Sequence, residues 1–333
     1  MKKLFVGVLA IASMVACMNE ETVRVQDPAA IGFEANWVEK ATRADVAVDP
    51  STTTATLEGF NVWGFMDSVD GKVFEAEDVT GSVGNFTYNN VAYWLPGHTY
   101  YFAALAPMDS ANVKVDTTYA NELGLGVVNF KNINGTEDLL YAANVEEAPA
   151  LGESKTVKFT FSHLLSKVKF TFTNGFTNPN MYIDVKNVRI VNAPAQANVV
   201  LNNKWWEANP WTDYLGTTEL AFGDACAKTA MSETQVAANE RLTIPASAEF
   251  EYKVEFEVAL YMGDVEAYKG TKTSYVKGVA LEMGKAYNFT ATLNHKNVGD
   301  NALYPIEFEV EVDEWVDGGI FDGGVITTET VKP

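Results

Sequence analysis

Of 333 residues, 47% are hydrophobic, 12% aromatic and 20% charged, which is ample material for a sizeable core and too apolar for a disordered chain. With 44 acidic residues against 24 basic ones the net charge is −20, so a nucleic acid would be repelled over most of the surface. Three histidines (His98, His163, His295) and two cysteines (Cys17, Cys226) exclude a four-cysteine zinc site and a disulfide framework, and no cofactor or metal is expected.

Met1-Lys2-Lys3 is a basic start, and residues 4–16 form an apolar run too short to span a bilayer, the pattern of a secretion signal. The run ends in Val15-Ala16-Cys17, which resembles the lipobox of bacterial lipoproteins and makes Cys17 the lipidated first residue of the mature chain. The alternative is an ordinary cleaved signal with Cys17 left as a thiol. Met18-Asn19-Glu20-Glu21 resembles the acidic stretch that sends Bacteroidetes lipoproteins to the cell surface, so the address reads outer membrane, facing outward.

From residue 28 onward the periodicity is two. Ile31, Phe33, Ala35 and Trp37 alternate with Gly32, Glu34, Asn36 and Val38, predicting a strand with one bulky apolar face. Short β-branched or aromatic runs follow at 57–65, 86–88, 99–106, 127–130, 138–142, 156–161, 167–173, 182–191, 250–262, 274–279 and 287–293. Ile306, Phe308, Val310 and Val312 alternate with Glu307, Glu309, Glu311 and Asp313 in the closing strand. The spacing predicts an all-β protein of two tandem β-sandwich domains with few short helices, the helices placed at 136–147 and 228–240. Pro149 and Gly152 mark a linker between 144 and 155. The division is 1–17 signal peptide, 18–43 propeptide, 44–152 first sandwich, 153–317 second sandwich and 318–333 tail.

Several segments together resemble the fimbrillins of Bacteroidetes, particularly the Mfa-like branch, subunits of type V pili. They are Phe60-Asn61-Val62-Trp63-Gly64-Phe65, Tyr93-Trp94-Leu95-Pro96-Gly97, Tyr101-Phe102-Ala103-Ala104-Leu105-Ala106-Pro107 and Asp138-Leu139-Leu140-Tyr141-Ala142. In the second half they are Phe161-Ser162-His163-Leu164-Leu165-Ser166-Lys167-Val168, Leu281-Glu282-Met283-Gly284-Lys285-Ala286-Tyr287 and Val312-Asp313-Glu314-Trp315-Val316-Asp317-Gly318-Gly319. The resemblance implies transthyretin-like sandwiches, export as a lipoprotein that ends in the fimbrium, cell adhesion as the outcome, and cleavage by an arginine-specific protease. Lys40-Ala41-Thr42-Arg43-Ala44-Asp45 stands where that cut is expected, with Arg43 before the scissile bond and Ala44 after it.

Cutting there detaches the Ile31, Phe33, Ala35, Trp37 strand, and a strand from another pilin subunit can take its place by β-augmentation. Otherwise Arg43 is an exposed linker residue and the strand stays. The candidate donor is the tail, whose glycines precede Val325, Ile326, Thr327 and Val331; threonines and Glu329 make its alternation poor. Position as shaft, tip or anchor-associated subunit stays open at this point.

Trp205, Trp206 and Trp211 sit among amides and acids, a composition suited either to sugar stacking on a host or bacterial surface glycan or to pinning a loop. A rival reading is therefore a surface glycan-binding lipoprotein, and a third is a purely structural envelope lipoprotein. The carboxylates of Glu307, Glu309 and Glu311 form a solvent face rather than an acid/base pair, and no nucleophile, zinc-protease or phosphate-loop motif is present, so no enzyme activity is expected. Asp67 to Gly71 reads as a hairpin turn. Asp67-Ser68-Val69, Asp109-Ser110-Ala111 and Asp116-Thr117-Thr118 resemble an O-glycosylation acceptor, and Cys226 reads as a small buried residue.

Overall fold

The computed structural model describes residues 27–37, 57–68, 71–82, 85–116, 124–202, 209–315 and 324–326. Among the described residues twenty-two strands follow in chain order. The first eight are β1 (Gly32–Trp37), β2 (Gly59–Met66), β3 (Lys72–Ser82), β4 (Asn85–Thr87), β5 (Thr99–Ala106), β6 (Val113–Asp116), β7 (Gly124–Lys131) and β8 (Leu140–Glu147). Next come β9 (Thr156–His163), β10 (Ser166–Asn174), β11 (Met181–Pro194), β12 (Gln196–Asn202), β13 (Trp211–Thr212), β14 (Thr217–Gly223) and β15 (Cys226–Thr229). The last are β16 (Thr234–Val236), β17 (Arg241–Thr243), β18 (Tyr252–Met262), β19 (Val265–Val276), β20 (Lys285–Leu293), β21 (Glu309–Glu314) and β22 (Gly324–Ile326).

The protein is all-β, and among the described residues there is no helix. The helices expected at 136–147 and 228–240 are strands instead. Leu140 to Glu147 pairs along the whole of β5, and residues 226–229 and 234–236 pair with β11 and β10, so partner strands override the local preference.

The described strands form four sheets. The first runs β1-β9-β8-β5-β2-β3-β4, and its two edges come together, β1 lying against β4. The second is β13-β12-β7-β6. The third is β16-β10-β20-β21-β22 with β17 also on β10, and the fourth is β14-β11-β18-β19 with β15 on β11. The Met66 amide donates to the Gly71 carbonyl and closes the β2–β3 hairpin, where a Cβ on Gly71 would overlap the Met66 carbonyl oxygen, so no side chain fits.

Three cores result. Inside the first sheet lie Phe60, Val62, Phe74, Tyr100, Phe102, Ala104, Phe159 and Phe161. Its opposite face, through Trp63, Ala103, Leu105 and Tyr141, packs on Val128, Phe130, Val199 and Leu201 of the second sheet. β5 is thus buried on both faces, which is why its sequence is a continuous apolar run instead of an alternating one. The third and fourth sheets enclose a separate core around Phe170, Phe172, Val185, Val254, Phe256 and Phe289.

Sheet membership crosses residue 153. β9 lies beyond it yet sits between β1 and β8, and β12 and β13 join β6 and β7. Long-range strand pairing, not the local linker composition, decides these memberships.

Candidate functional site

β1 is the edge strand of the first sheet, and its ladder has one partner. It pairs in parallel with β9 from Gly32 opposite Thr156 to Trp37 opposite Phe161. Alternation turns Ile31, Phe33 and Ala35 into the core and leaves Glu34 outward, where Lys158 stands 3.6 Å away. An exposed pair of this kind contributes little.

Phe33 is the anchor. Its ring lies 5.3–6.4 Å from the rings of Tyr88, Phe74, Phe159, Phe102 and Phe60, stacked on Phe159 and edge-on to the others. Burying Ile31 and Phe33 stabilises the strand by about 1.5–3 kcal/mol each, with offset and edge-on ring contacts adding to that.

A clamp formed by residues 88–94 fixes the start of the strand. The Ile31 amide donates to the Ala92 carbonyl at 2.9 Å, the Trp94 amide donates to the Ala29 carbonyl at 2.9 Å, and the Tyr88 hydroxyl donates to the Ile31 carbonyl at 2.5 Å. Burial raises the Tyr88 phenol above its ordinary value, which keeps it a neutral donor. Trp94 is buried beneath the clamp, its indole N–H on the Lys155 carbonyl at 3.0 Å.

Glu77 of β3 holds the clamp in turn. Its carboxylate accepts the Asn89 and Asn90 amides at 3.1 and 2.9 Å and the Asn90 side-chain amide at 2.6 Å. Burial alone would raise the Glu77 carboxyl, but these bonds to the charged form win and leave it below its ordinary value. Nothing in the local sequence announced this role, since Glu77 and Asn90 belong to different runs; the only signal was the aromatic segment at 93–97.

The other predicted site residues are dispersed. Cys17, Arg43, Ala44, Trp205, Trp206, Thr327 and Val331 lie outside the described residues. The backbone of Val325 and Ile326 forms β22, opposite Glu311 and Val310 of β21. Trp211 corrects the glycan-contact expectation. It is 4% exposed, packs in the core between the first and second sheets with Phe130, and donates its indole N–H to the Leu164 carbonyl at 3.0 Å, so no ring face is open to a sugar. Its pairing with Val199 turns it inward despite polar neighbours.

The three histidines do not converge. His98 bonds Asp67, whose carboxyl that bond lowers, while His163 bonds Asp138 at 2.6 Å and stacks on Trp315 with centroids 3.6 Å apart. Among the described residues no group of three or more His, Cys, Asp or Glu side chains is placed to hold a metal ion.

Residues 37–315 match the profile described as fimbrillin-like. The chain belongs to the fimbrillin-like family. The matched region begins at Trp37, the last residue of β1, so the candidate removable strand lies just ahead of it. No curated protein sequence matches this fimbrillin-like chain. A fimbrial protein from Bacteroides vulgatus ATCC 8482 has a similar fold, with a TM-score of 0.58 at 15% identity over 86% of this chain and 99% of that one. A candidate cell adhesion protein from Parabacteroides distasonis ATCC 8503 gives 0.53 at 11% identity, covering 87% and 97%. Another from Bacteroides eggerthii DSM 20697 gives 0.50 at 14%, covering 87% and 96%. At these identities the likeness is one of fold. The family is a structural fimbrial one.

Proposed function

We propose that this fimbrillin-like protein is a fimbrial subunit or a tip or accessory subunit, carried to the cell surface as a lipoprotein through Cys17 and activated for assembly by proteolysis after Arg43. Adhesion is the biological outcome. The observation that carries the reading is the position of β1. As an edge strand it can leave without breaking any interior ladder, yet it fills the aromatic core through Phe33.

Before the cut, β1 is held intramolecularly. After it, the strand is a separate peptide, and the effective concentration supplied by the connecting chain is lost. Burial worth about 3–6 kcal/mol corresponds to dissociation constants of roughly tens of micromolar to several millimolar, and association costs weaken this further. The released slot offers unpaired β9 backbone groups and an aromatic pocket, which a strand from another fimbrial subunit fills by β-augmentation. The tail 318–333 is the candidate donor, with Val325, Ile326, Thr327 and Val331 as its apolar or β-branched positions.

The test is limited digestion of protein lacking residues 1–17 with an arginine-specific protease, followed by N-terminal sequencing and size analysis. The expected result is a new terminus at Ala44 together with oligomers that excess tail peptide caps. A cut protein that stays monomeric and binds no tail peptide would refute strand exchange.

A further inference from the structure

The outer face of the third sheet carries a row of three reactive groups that strand exchange does not use. Lys169 of β10 stands opposite Asn288 of β20 in a parallel pair, and Asn288 stands opposite Glu311 of β21 in an antiparallel one. The adjacent residues Val168, Phe170, Tyr287, Phe289 and Val310 belong to the core. Alternation therefore puts Lys169, Asn288 and Glu311 together on the other face, one beside the next.

Asn288 is the middle member and is 7% exposed, while Thr171, two residues beyond Lys169, is 5% exposed. The Thr171 hydroxyl donates to the Asn288 side-chain carbonyl at 2.7 Å, and the Asn288 side-chain N–H donates to the Glu311 carboxylate at 2.9 Å. A buried carboxamide is thus gripped from both ends, with a hydroxyl on its oxygen and a carboxylate on its nitrogen. Attack at the carbon between them needs both. The hydroxyl stabilises charge that develops on the oxygen, and the carboxylate carries a proton to the departing nitrogen.

Lys169 supplies the nucleophile. Neighbouring strands lie about 4.8 Å apart, within the reach of a lysine stem. Lys169 is half-buried, and burial holds its ammonium below the ordinary lysine value, against the pull of Glu240 and Glu311 and helped by Lys167. The neutral amine is the attacking form, and fixing it beside its target turns a bimolecular encounter into an intramolecular one.

From this geometry we infer that Lys169 and Asn288 join in an intramolecular isopeptide bond, with Glu311 as the proton carrier and Thr171 as the donor to the reacting carbonyl. The Lys169 Nζ lone pair attacks Asn288 Cγ. The Nζ–Cγ bond forms, the Cγ–Nδ2 bond breaks, and one proton passes from Nζ through Glu311 to Nδ2, which leaves as ammonia. Nothing is oxidised or reduced. The bond ties β10 to β20 around the whole fourth sheet, because β11, β14, β15, β18 and β19 all lie between residues 169 and 288. Such a closure removes freedom from the unfolded chain as a long-loop disulfide does.

The test is the intact mass of the denatured protein lacking residues 1–17. The expected mass is below the sequence mass by one ammonia. Trypsin then yields a branched peptide joining residues 168–186 to 286–296, because a lysine in amide linkage is no longer cut. Lys169→Arg and Asn288→Ala each show their full sequence mass and unfold at a lower temperature than the parent. Glu311→Gln and Thr171→Val link at least about tenfold more slowly, read as the linked fraction at successive times after synthesis.

A parent at its full sequence mass, or one whose Lys169 takes an amine-reactive label after denaturation, would overturn the bond. An ammonia loss that survives in Lys169→Arg would assign the loss to another asparagine and overturn it too. Linking at the parental rate in Glu311→Gln would overturn the role of Glu311. If the Lys169 and Asn288 variants do not fold, the branched peptide from the parent decides, its absence overturning the bond. The cut at Arg43 and strand exchange are read at the first sheet and stand or fall separately.

Discussion

The strands nearest the two ends of the described chain, β1 and β22, are both edge strands, and they are held in opposite ways. β1 buries Ile31, Phe33 and Ala35, and its start is gripped by a second segment through three hydrogen bonds to or from its backbone. β22 is three residues long and is tied to β21 by backbone pairing over that length. The contrast is between a six-residue strand whose loss opens an aromatic core and a three-residue strand at the edge of the third sheet. In the proposed strand exchange, the edge whose loss empties an aromatic pocket is the receptor.

The largest effect expected from this contrast is at Phe33. Phe33→Ala in the uncut protein costs about 3–5 kcal/mol, read as a lowered denaturant midpoint, whereas removing residues 324–333 changes stability by less than about 1 kcal/mol. Equal losses would erase the distinction. A smaller effect attends the clamp. Tyr88→Phe removes one hydrogen bond worth about 1 kcal/mol, so the cut 18–43 segment leaves about fivefold faster in a stopped-flow or fluorescence release assay.

Below that comes Glu77, with a defined pH signature. Its folded-state carboxyl is depressed, so the stability it contributes is present above the ordinary value of 4.5 and is lost as pH falls through the lower folded value. Release of the cut strand from the parent therefore accelerates as pH drops below about 4.5, and Glu77→Gln gives a release rate that is already faster at neutral pH and flatter across that range. The smallest effect is at Lys158. Lys158→Ala removes an exposed ion pair with Glu34 and shifts stability by less than about 0.5 kcal/mol, measured by thermal or chemical unfolding.

Much of β1 was legible before any coordinates, because bulky residues at every second position leave few alternatives to a half-buried strand. The same holds for Ile306 to Val312, where alternation with acids gave the buried and solvent faces of β21. What local periodicity did not reveal was partnership. β9 follows the Pro149–Gly152 linker, yet its backbone completes the first sheet, and Leu140 to Glu147 is a strand because β5 lies beside it. Trp211 sits among polar residues but is drawn inward by its pairing with Val199. The Glu77 clamp depends on contacts between residues from separate strands and loops. Each of these is decided by distant chain, which a window of ten residues does not sample.

The parallel pairing of β1 with β9 fixes an order of events in synthesis and folding. Among the described strands β1 is made first, and its ladder partner appears only after β2 through β8 have been synthesised. A parallel neighbour so remote closes late, since the intervening loop must be ordered first. The aromatic pocket is therefore built around an opening that the protein's own leading strand then plugs. While it stays covalently attached, β1 shields an aggregation-prone edge of the first sheet and the aromatic pocket behind it.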